Sequence, residues 1–152
     1  MSDQMISALV AAIVSSVISA GISLLVVALT RQGNEKRALD NELSDILKIG
    51  IEYPYFEMET FTSQWCPDKV NSDERYARYE LYATLVFNHL ERRCKFYGFD
   101  FNKVQREMDM WSWVKIHKVY WEHPTECHEN ILGYDSKFSE IIAKNILKTK
   151  EY

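Results

Sequence analysis

Residues 4–30 read QMISALVAAIVSSVISAGISLLVVALT, from Gln4 to Thr30, and contain no charged side chain. At about 1.5 Å of rise per residue, a helix of this length exceeds the ~30 Å hydrocarbon core of a bilayer. In a soluble protein, so uniformly apolar a helix would have to be buried on every side. The stretch therefore predicts a transmembrane helix over residues 4–30, with the lipid bilayer as its first partner.

A cleaved secretory signal is the main competing interpretation of these residues. Such a signal begins with basic residues and has an apolar core of about 7–15 residues before a cleavage site of small residues. Here no Lys or Arg precedes the apolar core, which runs from Met5 to Leu29. We therefore expect a permanent single-pass anchor, and a buried core helix of a soluble protein is the remaining alternative.

The charges that flank the anchor predict its orientation. Arg31, Lys36 and Arg37 follow it, whereas Asp3 is the only charged side chain before it. Since positively charged flanks stay on the cytoplasmic side, we expect the rest of the chain to be cytoplasmic.

A stripe of small residues runs along the anchor at spacings of three and four. Its serines are Ser15, Ser16, Ser19 and Ser23. Small side chains allow two membrane helices to approach closely. The stripe predicts contact with a second copy of the chain or with a partner membrane protein.

The residues after the anchor predict one domain without a strong basic field. Of 22 acidic residues, all but Asp3 lie beyond the anchor with all 18 basic residues, which leaves a formal charge of −3 there. A nucleic-acid partner is therefore not expected.

The periodicity of the same residues is helical throughout. Residues 31–50 predict a juxtamembrane helix that is jointed to the anchor at Gly33–Asn34, and residues 51–152 predict a helical domain. In that domain, Asn71 is expected to cap a long helix that ends at Gly98, and Asp100 is expected to cap the next one. Strand alternation is absent. The predicted fold is all-α, with one N-terminal transmembrane helix followed by a four- or five-helix cytoplasmic bundle.

All 20 aromatic residues lie at or beyond Tyr53, which is more than a core of this size requires. Tyr and Trp supply large contact areas with a polar tip, so they are common in protein interfaces. We expect the surplus rings around Trp113, Tyr120 and Trp121 to form a contact surface.

The order of several residues resembles a known group of proteins. Its signposts are Tyr53-Pro54 before an aromatic short helix, Arg75 at the head of a long helix, Trp111 within a helix, Pro124 after it, and Tyr134 with Phe138 at the start of the last helix. This order resembles small bacterial membrane-anchored helical proteins classed as domains of unknown function. The resemblance covers roughly residues 50–142. It implies a bacterial or phage source and a single-span anchor, and it supplies no catalytic residues.

The densest group of potential metal ligands comprises His123, Glu126, Cys127 and His128. Zinc sites usually draw their ligands from two separated pairs, and no second pair follows at a standard spacing. We therefore expect a polar connection between helices here rather than a metal site, and no cofactor. Cys94 falls on an apolar helix face, where packing is expected rather than nucleophilic chemistry.

These features favour a non-enzymatic, single-pass membrane protein whose helical domain acts as a protein-interaction or scaffold module. Two alternatives come from other classes. One is a membrane-tethered enzyme or ligand-binding domain that uses the residues from His123 to His128 or an aromatic-lined pocket. The other is a membrane-perturbing effector of a defence or toxin system, in which self-association of the anchor would be the activity.

Overall fold

The computed structural model describes residues 3–122 and 133–147, with side chains from residue 12 onward. Within these residues every regular element is helical and no strand occurs, which confirms the all-α prediction. The chain divides into two compact units, Met1–Ala38 and Leu39–Tyr152. The first helix, α1, runs from Asp3 to Glu52 and contributes residues to both units.

In the first unit, α1 exposes its apolar side chains along the whole stretch from residue 12 to residue 30. Its most apolar window has a mean hydropathy of 2.4, and none of that window is buried. By length and composition, this helix could cross a membrane. It is the one candidate span among the described residues.

The predicted joint at Gly33–Asn34 is wrong, because α1 stays helical through both residues and on to Glu52. The predicted juxtamembrane helix 31–50 is therefore part of α1 rather than a separate element. A lone glycine costs a helix only about 1 kcal/mol relative to alanine, which its neighbours can offset. Gly50 also lies within the helix. A Cβ atom there would come within 3.1 Å of the Tyr82 hydroxyl, so this close approach explains the glycine.

The second unit is built around α4, which runs from Glu74 to Phe96. The three- and four-residue spacing of its apolar side chains predicts one buried face, and Tyr79, Ala83, Val86, Leu90 and Cys94 on that face are all at zero exposure. Tyr97, the last residue of the predicted face, is partly buried. The predicted cap at Asn71 is wrong. Asp73 caps the helix instead by accepting a hydrogen bond from the backbone N–H of Arg75.

Proline and glycine explain the two ends of this region. Pro67, at a first-turn position, starts a separate short helix, α3, over Pro67–Ser72, which takes up Asn71. At the far end Gly98 adopts a positive φ of 64°, as predicted for a left-handed helix stop.

The remaining elements are short. A 3-10 turn spans Pro54–Glu57, and α2 spans Glu59–Thr62. After α4 come α5 over Phe101–Glu107, α6 over Met110–Ile116 and α7 over Lys118–Glu122. The last two are α8 over Ser136–Ile141 and a π-helical turn over Ile142–Leu147.

Instead of the predicted bundle of four or five helices, the described residues of the second unit form one long helix, the end of α1 and several short helices. The sequence predicts one helix from Asp100 to His123, but the chain forms three pieces there. Asp100 caps α5 as predicted, with its carboxylate accepting from the Lys103 N–H. Asp109 then caps α6 in the same way at Ser112, which interrupts the expected helix.

The core of the second unit is largely aromatic. Phe61 stacks on Tyr76 with 4.5 Å between ring centroids, and Phe87 packs against Trp121 at 4.8 Å. The sequence predicts an inner face of the last helix that comprises Phe138, Ile141, Ile142, Ile146 and Leu147. The first four are buried, and Leu147 is partly buried. Among the described residues, four polar side chains are buried with these rings: Thr62, His89, Arg93 and His117.

Candidate functional site

The predicted interaction serines lie on the exposed surface of α1. Ser16 donates a hydrogen bond to the Ile13 carbonyl at 2.8 Å, and Ser23 donates one to the Ser19 carbonyl at 2.9 Å. Ser15 is exposed on the same helix. Hydroxyls bonded within their own helix need no outside partner, so they can face an apolar environment at low cost. Contact with a partner helix through this stripe stays a prediction.

The predicted contact surface at Tyr120 and Trp121 is wrong. Their side chains are 5% and 3% exposed, because both fill the aromatic core. The Tyr120 hydroxyl lies 2.8 Å from the Thr84 hydroxyl, which satisfies its polar tip internally. Trp113, the third member, is partly buried, and the more exposed ring is Trp111 at 39%.

A shallow groove contains Trp113, the third member of the predicted surface. Its volume is about 250 Å³. It is lined by Leu43 and Leu47 of α1, by Glu107, Met108 and Asp109 at the junction of α5 and α6, and by Trp113. We call it the α1–α6 groove. Leu47 is 46% exposed, so the groove presents apolar surface to solvent.

The candidate metal ligands His123, Glu126, Cys127 and His128 lie outside the described residues. Among the residues that are described, no group of three or more His, Cys, Asp or Glu side chains could hold a metal ion. Cys94 is fully buried with its sulfur 3.9 Å from the Met110 sulfur. Burial raises the pKa of the Cys94 thiol to about 12, which suits packing rather than nucleophilic chemistry.

The first cluster of chemically active groups joins α4 to the 3-10 turn and to the end of α6, and we call it the Glu57 cluster. Tyr82 donates a hydrogen bond to the Glu57 carboxylate, and the Tyr79 hydroxyl lies 3.0 Å from Nδ1 of His117. His117 is fully buried, and its Nε2 is 3.7 Å from a Glu57 oxygen. At that distance the contact is electrostatic rather than a hydrogen bond.

Protonation in the Glu57 cluster follows from its surroundings. Burial, reinforced by the Glu57 carboxylate, raises the pKa of both Tyr79 and Tyr82, so both hydroxyls keep their protons. Burial alone would raise the pKa of Glu57 as well, but His117 and the Tyr82 hydroxyl together hold it below its ordinary value. An Nε2–H of His117 faces the Glu57 carboxylate favourably and an Nε2 lone pair would not, so we assign Tyr79 as the donor to Nδ1.

This arrangement is poorly suited to acid–base catalysis. A general base that works near neutral pH needs a pKa close to 7, whereas the pKa of Glu57 is displaced the other way. Its hydrogen-bond donor, Tyr82, has a raised pKa and holds its proton firmly. The cluster can bind three chain segments together, and Thr62 adds a hydrogen bond of 2.7 Å to the Ile116 carbonyl beside it.

The second cluster joins residues 39–52 of α1 to α4, and we call it the His89 cluster. Arg93 is 2% exposed and donates to Asp40 at 2.7 Å and to Nε2 of His89 at 3.2 Å. Nδ1 of His89 lies 2.8 Å from Glu42, which also accepts a hydrogen bond from Arg92 at 2.7 Å. Two carboxylates and two guanidiniums thus surround one buried imidazole.

Sequence reasoning missed both clusters. Their contacts between different segments span 25 residues, from Glu57 to Tyr82, to 60 residues, from Glu57 to His117, so no local motif reveals them. The available signal was polar residues on an otherwise apolar helix face: His89 and Arg93 share the buried side of α4 with Val86 and Leu90. Buried charged groups are rare unless they are paired, so such positions predict partners elsewhere in the chain.

Comparison of the chain with family models, curated proteins and solved structures found no match.

Proposed function

We propose that this chain is a single-pass membrane protein whose helical domain is a protein-interaction module without catalytic activity. One observation carries the proposal: the apolar side chains of α1 from residue 12 to residue 30 are exposed, with Leu24 at 71%. Apolar surface is worth about 25 cal/mol per Å² when it leaves water, so a bilayer would stabilise this helix strongly. None of its most apolar window is buried among the described residues.

The proposed location follows from the flanking charges. Arg31, Lys36 and Arg37 come directly after the apolar stretch, and positive flanks favour the cytoplasmic side. We therefore place the domain in the cytoplasm. The resemblance to bacterial anchored helical proteins supports a bacterial or phage source.

An interaction role is favoured over catalysis by how the polar groups are used. In the Glu57 and His89 clusters, hydrogen bonds and ion pairs join segments of the same chain. The α1–α6 groove, in contrast, leaves apolar side chains in solvent, as surfaces that bind other proteins do. We assign the groove as the contact region of the domain and the serine stripe of α1 as the contact region of the anchor.

Gentle extraction of the full chain from its native membrane tests this proposal, with the mass of the intact complex and its co-purifying proteins as the readout. We expect a stoichiometric second protein or additional copies of the chain. Leu47→Glu, in the groove, should reduce that assembly at least tenfold. Leu81→Glu is the matched control, since Leu81 is an exposed leucine of α4 outside the groove.

Three results would contradict parts of the proposal. A monomer with no stoichiometric partner would end the interaction role. An equal loss of assembly in both leucine variants would remove the groove from it. An assembly that withstands Leu47→Glu but is weakened by Ser19→Leu would move the contact from the domain to the anchor.

A further inference from the structure

The hydrogen bonds of His89 define which of its nitrogens carries the proton. A carboxylate oxygen only accepts, so Glu42 requires a proton on Nδ1, 2.8 Å away. Arg93 only donates, so its Nε requires a lone pair on Nε2, 3.2 Å away. The neutral Nδ1–H tautomer meets both needs. The Nε2–H tautomer would direct its N–H at the Nε–H of Arg93 and its Nδ1 lone pair at the Glu42 carboxylate.

A second proton would enter at Nε2, where Arg93 now donates. His89 is fully buried and Arg93 is 2% exposed, so neither charge could reach water. His89 contacts Glu42 of α1 and Arg93 of α4, and these two are paired in turn with Arg92 of α4 and Asp40 of α1. Their two negative and two positive charges balance while His89 is neutral. Protonation would add an uncompensated positive charge and remove one hydrogen bond.

We propose that His89 is a proton-sensitive latch that holds residues 39–52 of α1 on α4 at neutral pH and releases them when it is protonated. Release of residues 39–52 exposes the imidazole to water, where protonation costs least and where the side chains of His89 and Arg93, both on α4, are free to move apart. The evidence for the latch does not depend on the function proposed above, since it rests on contacts within residues 39–152. Its release would nevertheless move Leu43 and Leu47 away from the rest of the α1–α6 groove.

The direction of the pH effect follows from linkage. Burial lowers the pKa of His89 from its ordinary value of 6.5. The contact with Glu42 opposes this effect, and the positive charges of Arg93 and Arg92 add to it. The open form therefore binds a proton more readily than the closed form. The contact between residues 39–52 and α4 is therefore at full strength above pH 6.5 and weakens as the pH falls below that value. Well below pH 6.5, where the open form is nearly all protonated and the closed form is not, one proton per opening corresponds to about a tenfold change per pH unit.

Hydrogen–deuterium exchange of the full chain in detergent micelles tests the latch, with rates corrected for the intrinsic effect of pH. Between pH 6.5 and pH 5.5, protection of residues 39–52 should fall by about fivefold, because half of the open form is already protonated at pH 6.5. His89→Gln is neutral at both pH values and should abolish this change. His117→Gln, which alters the other buried histidine, should leave it intact. Equal responses in wild type and His89→Gln, or no response in wild type, would overturn the latch.

Imidazole ¹⁵N spectra of the wild type keep the proposal testable if His89→Gln does not fold. At pH 7.5, His89 should carry its proton on Nδ1, and its titration should coincide with the loss of protection. A proton on Nε2, or a titration with no accompanying loss of protection, would overturn the proposal.

Discussion

The hydroxyl of Tyr82, in the middle of α4, donates a hydrogen bond to the carboxylate of Glu57, at the end of the 3-10 turn that follows α1. Gly50 of α1 lies close to the same hydroxyl because it has no Cβ atom. Three segments that are separate in sequence therefore meet at one oxygen. This contact ties the end of α1 and the turn after it to the central helix.

Tyr82→Phe should destabilise the second unit by about 1–2 kcal/mol, because the partly buried Glu57 carboxylate loses a donor. Chemical denaturation measures the loss. Carbon NMR should also detect a rise in the pKa of Glu57, since one of the two groups that lower it is gone. Tyr97→Phe is the control, because the Tyr97 hydroxyl has no hydrogen bond to any described residue. A Tyr82→Phe protein as stable as the control would contradict this role.

Acid should weaken the fold through Glu57. The folded-state pKa of Glu57 lies below its ordinary value of 4.5. Its stabilising effect is therefore complete above pH 4.5 and is lost as the pH falls through the folded-state value. Free energies of unfolding measured between pH 6 and pH 3 should decline less steeply in Glu57→Gln than in wild type. Glu59→Gln, at an exposed position two residues on, should follow the wild-type curve.

Thiol labelling should distinguish two cysteines sharply. Cys94 is buried and its pKa is raised to about 12, whereas Cys66 is only partly buried. At pH 7.5 a maleimide should modify Cys66 within minutes and leave Cys94 unmodified until the chain is denatured, as read by peptide mass spectrometry. Rapid modification of Cys94 in the native protein would mean that the α4 core opens readily.

Two tryptophans test the corrected view of the aromatic residues. Trp121→Ala should cost about 3–5 kcal/mol, because it leaves a cavity against Phe87 and Phe138. Trp111→Ala should cost less than about 1 kcal/mol, since that ring is 39% exposed. Thermal or chemical unfolding measures both. Similar costs would contradict the assignment of Trp121 to the core and Trp111 to the surface.

Local rules predicted the parts of this fold that depend on local chemistry. Helical periodicity identified the buried face of α4, and Gly98 marked its end because few other residues adopt a positive φ cheaply. Where two caps compete, local rules are less decisive. Asn71 and Asp73 both precede α4, and Pro67 decides between them by starting a short helix that includes Asn71.

Long-range contacts were beyond the reach of the same rules. Tyr120 and Trp121 are equally suited to a core and to an interface, and burial depends on α4 and α8, which lie far away in sequence. The partners of His89 and Arg93 lie about 50 residues earlier, on a segment that reads simply as a charged helix. Polar residues on an apolar helix face indicate that partners for His89 and Arg93 exist elsewhere in the chain, but only the packed structure shows which residues they are.

Alkaline carbonate extraction of membranes that contain the full chain tests the central claim, that α1 anchors the protein in a bilayer. Wild type should stay in the membrane pellet with its N-terminal residues intact by mass. A Val17→Arg, Leu24→Arg variant should move to the supernatant, because each central arginine costs about 2.5–3.5 kcal/mol in a membrane helix. An Asn41→Arg, Ser44→Arg variant, altered beyond the apolar stretch, should remain in the pellet. Wild type in the supernatant, or a chain cleaved after the apolar stretch, would contradict the account.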